Sequence, residues 1–284
     1  MTLFGLSEPV VRVASFALIF ATLAVLELAA PRLERAELAG AWKSRRWFTN
    51  LSMVVLSSVG LRVLFPLAAV GTAIWAESRG YGLFNWIDAP VWLAGLVAFV
   101  ILDFAIWLEH VASHKWPLLW RIHRMHHADT GFDLTTALRF HPIEIVLSMV
   151  WKAAIIVALG APAVAVLVFE IVLNGAAMFN HANLKLPLWL DHPLRRFIVT
   201  PDMHRIHHST DPRETNSNYG FNLAIWDRLF GMYTAAPRRG NEGIEIGLAD
   251  YRTPETASLG WALLLPFKPL KPNDAKVPDA DQSP

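Results

Sequence analysis

The chain contains no cysteine. That excludes disulfides, thiolate zinc sites, iron–sulfur clusters and a cysteine nucleophile, so any bound metal must use nitrogen or oxygen ligands. Charge is scarce as well. Asp, Glu, Lys and Arg make up 17% of the residues, against roughly a quarter in soluble domains, and a net charge of +1 carries no message about nucleic acid. Two familiar metal motifs are missing: Glu-x-x-His of carboxylate-bridged di-iron bundles and HExxH of zinc proteases. The first apolar run also lacks a basic leader and an Ala-x-Ala exit, so it reads as a retained span and not a cleaved signal.

Hydrophobic residues take up 54% of the chain and the mean hydropathy is +0.35, a balance that points to a bilayer as solvent. Spans are expected over 10–30, 51–75 and 90–111, followed by a hairpin over 143–180 broken at Gly160-Ala161-Pro162. Its two arms of roughly 16 residues are short for full crossings, which suggests a tilted or re-entrant hairpin. Arg62 should face protein or water, and Lys152 and Glu170 the protein side of the hairpin. The expected fold is therefore an all-α integral membrane protein with about four spanning helices, or three plus a re-entrant hairpin. A single domain over 1–266 would include a helical cap from 112–142 and 184–266. The end, 267–284, rich in Pro, Asp and Lys, reads as a disordered tail. Arg32, Arg35, Lys43, Arg45 and Arg46 follow the first span and only Arg79 follows the second. The positive-inside rule then makes the first loop, and with it the cap, cytoplasmic.

Eight of the eleven histidines lie in three short clusters. His110 and His114 are four apart. His123, His126 and His127 follow at i, i+3 and i+4, and His204, His207 and His208 repeat that spacing. On a helix each set shares a face and can aim several ring nitrogens at one point. One metal rarely takes so many ligands, so the clusters imply at least two ions, of the kinds imidazole suits. His141 and His181 stand alone at the mouths of apolar segments and are added as candidate ligands, whereas His192 in the turn-like LDHPLRR reads as a satisfied core or interface histidine and is left out. Asp103, Trp107, Asp129, Asn183 and Asp202 are candidates to fix ring tautomers from behind, and an acid at membrane depth such as Asp103 is a functional suspect in its own right.

DFAIWLEHVASH, RIHRMHH, RFHPIE, TPDMHRIHHS and NYGFNLAIWDRLFGMY together resemble the fatty acid hydroxylase and sterol desaturase superfamily, over roughly Arg46 to Tyr233. The resemblance implies a membrane-bound, non-haem dimetal oxygenase that uses O2 and external electrons. It makes His110, His114, His123, His126, His127, His204, His207 and His208 catalytic metal ligands, supports His141 and His181 beside them, and casts Asn218, Tyr219, Gly220, Trp226, Asp227 and Gly231 as scaffold. The implied cofactor is a pair of iron ions, which zinc readily replaces on purification. With no cytochrome-like domain fused to the chain, a separate ferredoxin-, rubredoxin- or cytochrome-like carrier is expected, docking near Lys115, Arg121, Arg124 and Arg205. The expected reaction is hydroxylation of a C–H bond in a fatty acyl, sterol-like or ornithine-lipid-like substrate drawn from the bilayer into a groove between the third span and the hairpin. Desaturation and ether-lipid cleavage are alternatives at the same site. A zinc-dependent hydrolase or a metal-handling membrane protein is the alternative of another class, weakened by the lack of a clear glutamate base beside the clusters. The expected location is a bacterial inner membrane with the metal site cytoplasmic.

Overall fold

The computed structural model describes residues 2–3, 5–34 and 36–272. Apart from a hairpin of two-residue strands, β1 (Thr2–Leu3) and β2 (Leu6–Ser7), the named elements are helical. The long helices are α1 (Glu8–Ala29), α2 (Gly40–Leu64), α5 (Val91–Lys115), α7 (Pro142–Leu159) and α8 (Ala163–His181), with α3 (Ala68–Ser78) and α4 (Leu83–Trp86) between the second and third. The cap adds α6 (Pro117–His127), α9 (Leu188–Leu194), α10 (Pro201–His207), α11 (Pro212–Thr215), α12 (Ile225–Leu229), α13 (Gly240–Gly243) and α14 (Leu259–Leu264).

Among the described residues five stretches are long and apolar enough to cross a membrane: Glu8–Ala29, Gly40–Trp86, Val91–Lys115, Pro142–Leu159 and Ala163–His181. The surface of α1 shows why lipid is its solvent. Only Leu23 is buried, while Val13, Leu18 and Leu28 are 68%, 70% and 76% exposed; such an apolar face is tolerable only against hydrocarbon. Between the helices the packing relies on small residues. Ala94, Ala98, Leu102 and Ile106 form a stripe along α5 that meets Ala69 and Ala73 of α3, Met149 and Ile156 of α7, and Val166 and Phe169 of α8. Short side chains let such helices approach closely.

The second span differs from expectation. The stretch 51–75 is not one helix: α2 begins at Gly40 and stops at Leu64, and α3 restarts at Ala68. Pro66 is the cause, because the residue before a proline is pushed out of the α region, and Phe65 sits at φ −135°, ψ 68°. The longer α2 also relocates two arginines. Arg62, expected within the span, lies exposed in the last turn, and Arg46, expected in a basic loop, is buried inside the helix. The hairpin helices, at 18 and 19 residues, each extend about 27 Å. They join through Gly160 at φ +64°, where the chain turns so tightly on Gly82 (φ +100°) that a Cβ on Gly82 would lie 2.0 Å from the Gly160 nitrogen. Lys152 and Glu170 pair inside, at 3.1 Å.

The C-terminal end of α1, the N-terminal half of α2, the C-termini of α5 and α8, and the N-terminus of α7 all gather at one end of the bundle. Glu27 of α1 accepts the backbone N–H groups of Leu134 (2.8 Å) and Asn183 (2.6 Å) there. Arg46 of α2 reaches Asp129 through both carboxylate oxygens (2.5 and 2.8 Å) and Asp133 at 3.0 Å. Its guanidinium passes so close to Gly131 that a Cβ would lie 2.6 Å from Cζ. Arg139 donates to Met125 O (3.0 Å), Asn50 Oδ1 (3.1 Å) and Thr256 O (2.6 Å). These buried charges, each matched to acceptors, bind the 128–140 segment to α2 and form a floor beneath the histidines. Of the segment expected as a tail, 267–272 is described, and the carbonyls of Lys268 and Pro269 accept from Arg124 (2.6 and 3.3 Å); residues 273–284 lie outside the described residues.

Candidate metal centre

Nine histidines converge at that end in two adjoining groups. His110, His114, His123, His127 and His207 form one, and His126, His181, His204 and His208 the other; within each, one donor atom per ring lies within 4.8 Å of all the rest, and every ring is buried. Two helices feed both. From α6, His123 and His127 turn to the first group and His126 to the second. From α10 and its cap, His207 turns to the first and His204 and His208 to the second. The spacing suggested one point of convergence for each cluster. The i+3 and i+4 positions differ by about 100° around a helix, and that angle separates them onto two points. The groups abut, with the rings of His127 and His208 stacked at 4.5 Å.

The tautomers of several rings follow from their partners. His110 Nδ1–H donates to the Tyr219 carbonyl (2.7 Å), His181 Nδ1–H to Ala177 O (2.7 Å) and His207 Nδ1–H to Ser217 O (2.8 Å). A carbonyl can only accept, so each Nε2 carries a bare lone pair. His123 Nδ1 lies 2.6 Å from Glu144 Oε1; an ionised carboxylate can only accept there, which leaves the His123 Nε2 bare too. Yet His110 Nε2 and His123 Nε2 face each other at 3.2 Å. Two lone pairs at that distance repel unless a cation lies between them, and 3.1–3.2 Å, found also from His181 Nε2 to His126, His204 and His208, suits two nitrogens each about 2.0–2.1 Å from one ion. His207 Nε2 is buried without a hydrogen-bond partner. The donor set therefore fits metal in both groups. Burial, reinforced by neighbouring rings, holds His126, His127, His204, His207 and His208 well below the ordinary histidine range, and burial puts His123 at about 3. Neutral imidazole is the ligating form.

His141 does not join the groups. Its Nδ1 accepts the Ile143 N–H (3.2 Å) as the N-cap of α7, and its Nε2 lies 3.3 Å from Leu263 O. Capping is a role usually given to Ser, Thr, Asp or Asn, and it occupies the atoms a metal would need. His141→Ala is accordingly expected to lower stability by about 1 kcal/mol and leave the metal content of the purified protein unchanged; loss of an ion, measured by elemental analysis, would restore it to the ligand set. His192 is exposed.

None of the five expected tautomer-fixing residues touches a ring nitrogen. Asp129 is held by Arg46, Asn50 and Thr136; burial pushes its carboxyl up, but Arg46 and the hydrogen bonds outweigh that and keep it below its ordinary value. Asp202 pairs with Arg32 (3.1 Å) and Arg205, and Asn183 ties to the backbone of Leu33 (3.0 and 2.8 Å). Asp103 and Trp107 act one step further out. Trp226 Nε1 donates to Asp103 (2.7 Å) while Trp107 Nε1 donates to Asp227 (2.9 Å), so α5 and α12 are cross-braced. Asp227 also accepts the backbone N–H groups of Tyr219 and Gly220, both at 2.9 Å, and thereby positions the carbonyl that holds His110. Burial pushes Asp227 up to about 6, against these hydrogen bonds.

The carboxylate that does touch a ring is Glu144, in the first turn of α7. The presumed lack of a glutamate beside the clusters is thus corrected. A signal for it existed, since an acid opening an apolar helix at membrane depth is a functional suspect, as Asp103 was. Glu144→Leu should reduce metal affinity or turnover about 10–100-fold, read from metal titration of the purified variant; wild-type affinity would leave Glu144 no orienting role. The expected docking face also changes. Arg124 and Arg205 are fully buried, with Arg124 bonded to the carbonyls of Leu265 (2.8 Å) and Lys268 and Arg205 to Asp202, so only Lys115 and the half-buried Arg121 remain accessible there.

Beside the first group lies a cavity of about 340 Å³. His110, His123 and Glu144 line one part, and Phe16, Val54, Leu61, Ile106, Phe140 and Leu173 supply apolar wall from α1, α2, α5 and α8 and the 128–141 segment.

A bundle of helices apolar enough to cross a membrane, nine inward-facing imidazoles that could hold metal and a largely apolar cavity beside them together describe a membrane protein with a candidate histidine-lined metal centre. The fatty acid hydroxylase family model matches residues 95–232, the stretch that carries all nine of these histidines. It is 29% identical to the ornithine lipid hydroxylase OlsE of Rhizobium tropici, over 72% of this chain and 63% of that protein. It is likewise 29% identical to the alkylglycerol monooxygenase of Homo sapiens, over 62% of this chain and 36% of that one, and 25% identical to a very-long-chain aldehyde decarbonylase of Oryza sativa, over 66% and 28%. The chain thus spans less than two thirds of the length of these curated relatives. No solved structure matches it.

Proposed function

We propose that the protein is a membrane-bound non-haem di-iron monooxygenase that hydroxylates a C–H bond of a lipid. In balanced form, R–H, O2, two electrons and two protons give R–OH and water. The observation that carries the reading is the position of two abutting histidine groups inside a bundle of apolar helices, the first of them opening on a largely apolar cavity. His110, His114, His123, His127 and His207 would hold one iron and His126, His181, His204 and His208 the other; when bound, the pair supplies redox activation of O2. The chain's own part is to fix the rings through Glu144 and the Tyr219, Ser217 and Ala177 carbonyls, to exclude water, and to align an acyl chain along the cavity. Electrons come from a separate carrier. Arg32 before α2 and Lys43 and Arg45 in its first turns support a cytoplasmic site in a bacterial inner membrane.

Likeness to an alkylglycerol monooxygenase favours a second outcome at the same site, attack on the carbon beside an ether oxygen followed by cleavage. The deciding experiment supplies iron, a reductase and 18O2 to the purified protein with extracted membrane lipids. One labelled oxygen in a lipid is expected for hydroxylation, and a labelled aldehyde for ether cleavage. A product lacking two hydrogens and carrying no label would indicate desaturation, and lipid turnover without O2 would favour a hydrolase.

A further inference from the structure

The cavity is not lined as a pure hydrocarbon tunnel would be. Along α7, Glu144, Ser148 and Lys152 recur every four residues and all face it, as one helical stripe must. Across from them α2 contributes Ser57, whose Oγ is buried with no hydrogen-bond partner. Ser57 lies seven residues beyond Asn50 and Lys152 eight beyond Glu144, so each stands roughly 10–12 Å up its helix from the site end. They share a depth in the bilayer. A buried hydroxyl without a partner is costly in a protein interior, more so in lipid, and the cost is relieved when a ligand brings a polar atom.

The charge around Lys152 states what kind. Its Nζ bonds Glu170 Oε1 at 3.1 Å, Glu170 Oε2 accepts from Arg12 at 2.5 Å, and Arg12 pairs with Glu8. The four charges cancel, and Glu109, bonded to Ser148 at 3.1 Å, lies on the same wall. A free carboxylate entering here would find no surplus positive charge, whereas an uncharged oxygen can take the remaining N–H donors of Lys152 and the Ser57 hydroxyl.

We propose that Lys152 and Ser57 form a subsite for an uncharged oxygen function, an ether or an ester or amide carbonyl, carried by the lipid chain, so that the substrate is a neutral oxygenated lipid and not a free fatty acid. The subsite rests on the lipid-oxygenase reading of the cavity and adds what sets the depth of the chain. Lys152 and Ser57 bind substrate at a distance from the metals and are specificity residues.

The test is competition binding to the full-length, metal-loaded protein in detergent, with hexadecylglycerol ether, methyl palmitate, palmitate and hexadecane as probes, at a pH where palmitate is ionised. Because each probe is compared between variants, its partition into micelles cancels. Wild type should bind the ether and ester at least about tenfold more tightly than Lys152→Met does, as expected for loss of a hydrogen bond to a charged group, with hexadecane unchanged. Lys152→Arg should keep most of the preference, and Ser57→Ala should lose part of it with the same selectivity. If Lys152→Met weakens all four probes alike, or weakens palmitate most, the subsite is overturned while the lipid cavity stands; if no chain binds at all, the lipid reading falls with it. Should Lys152→Met fail to fold, Ser57→Ala decides by the same comparison with wild type: a loss confined to the ether and ester supports the subsite, and an equal change in all four probes overturns it.

Discussion

Alanine at His181 is expected to remove one metal ion of two and to reduce turnover by at least about 100-fold, the upper range for merely orienting residues. His181 is the hub of its group: its Nε2 lies 3.1–3.2 Å from those of His126, His204 and His208, and its tautomer is locked by the Ala177 carbonyl one turn back on α8. Removing it opens a gap that no carboxylate in the group can fill, because all four members are imidazoles. The first group contains no residue of α8 and should keep its ion. Elemental analysis beside product formation reads both results. Two ions retained with turnover intact would refute the assignment of the second group, and loss of both ions would mean that the groups do not load independently.

The second large effect concerns stability. Arg46→Met should destabilise the protein by about 3–5 kcal/mol, the cost of leaving buried partners of a charge uncompensated. Asp129 and Asp133 both depend on that guanidinium, their side chains are 1% and 3% exposed, and the 128–140 segment they anchor lies directly against His126, where Phe140 stacks at 4.3 Å. The neighbouring Arg45→Met is the control. Arg45 is exposed, and a surface change of this kind should fall within about 0.5 kcal/mol. Thermal unfolding in detergent measures both, and equal effects of the two substitutions would show that the buried network contributes nothing special.

That pair of arginines marks where the sequence could and could not be read. Side by side in a basic run they look alike. What separates them is helical phase on α2, and α2 starts at Gly40, well before its apolar character begins. The three histidine clusters were legible because rings that converge from one helix must recur at a short period, and the period survives in one dimension. The distribution of rings over two groups was not, because it depends on how α6 and α10 face each other. His141 was misjudged for a related reason: an imidazole opening a helix has the same letters whether it caps the backbone or binds an ion. Asp103 and Trp107 were noticed as unusual, but their partners, Trp226 and Asp227, lie more than a hundred residues away. The break at Pro66 was visible in the letters and was outweighed by the continuity of the apolar run around it.

The sharing of α6 and α10 between both groups has a mechanical implication. In a centre bridged by carboxylates, the bridging ligands help to set the gap between two ions and can change it by shifting. Here neighbouring side chains, His126 and His127 on α6 or His207 and His208 at the end of α10, fall in different groups, so if each group held an ion the gap between the two would be ruled by backbone pitch. Such a centre would exchange small ligands in its interior while its spacing was kept by the helices outside it.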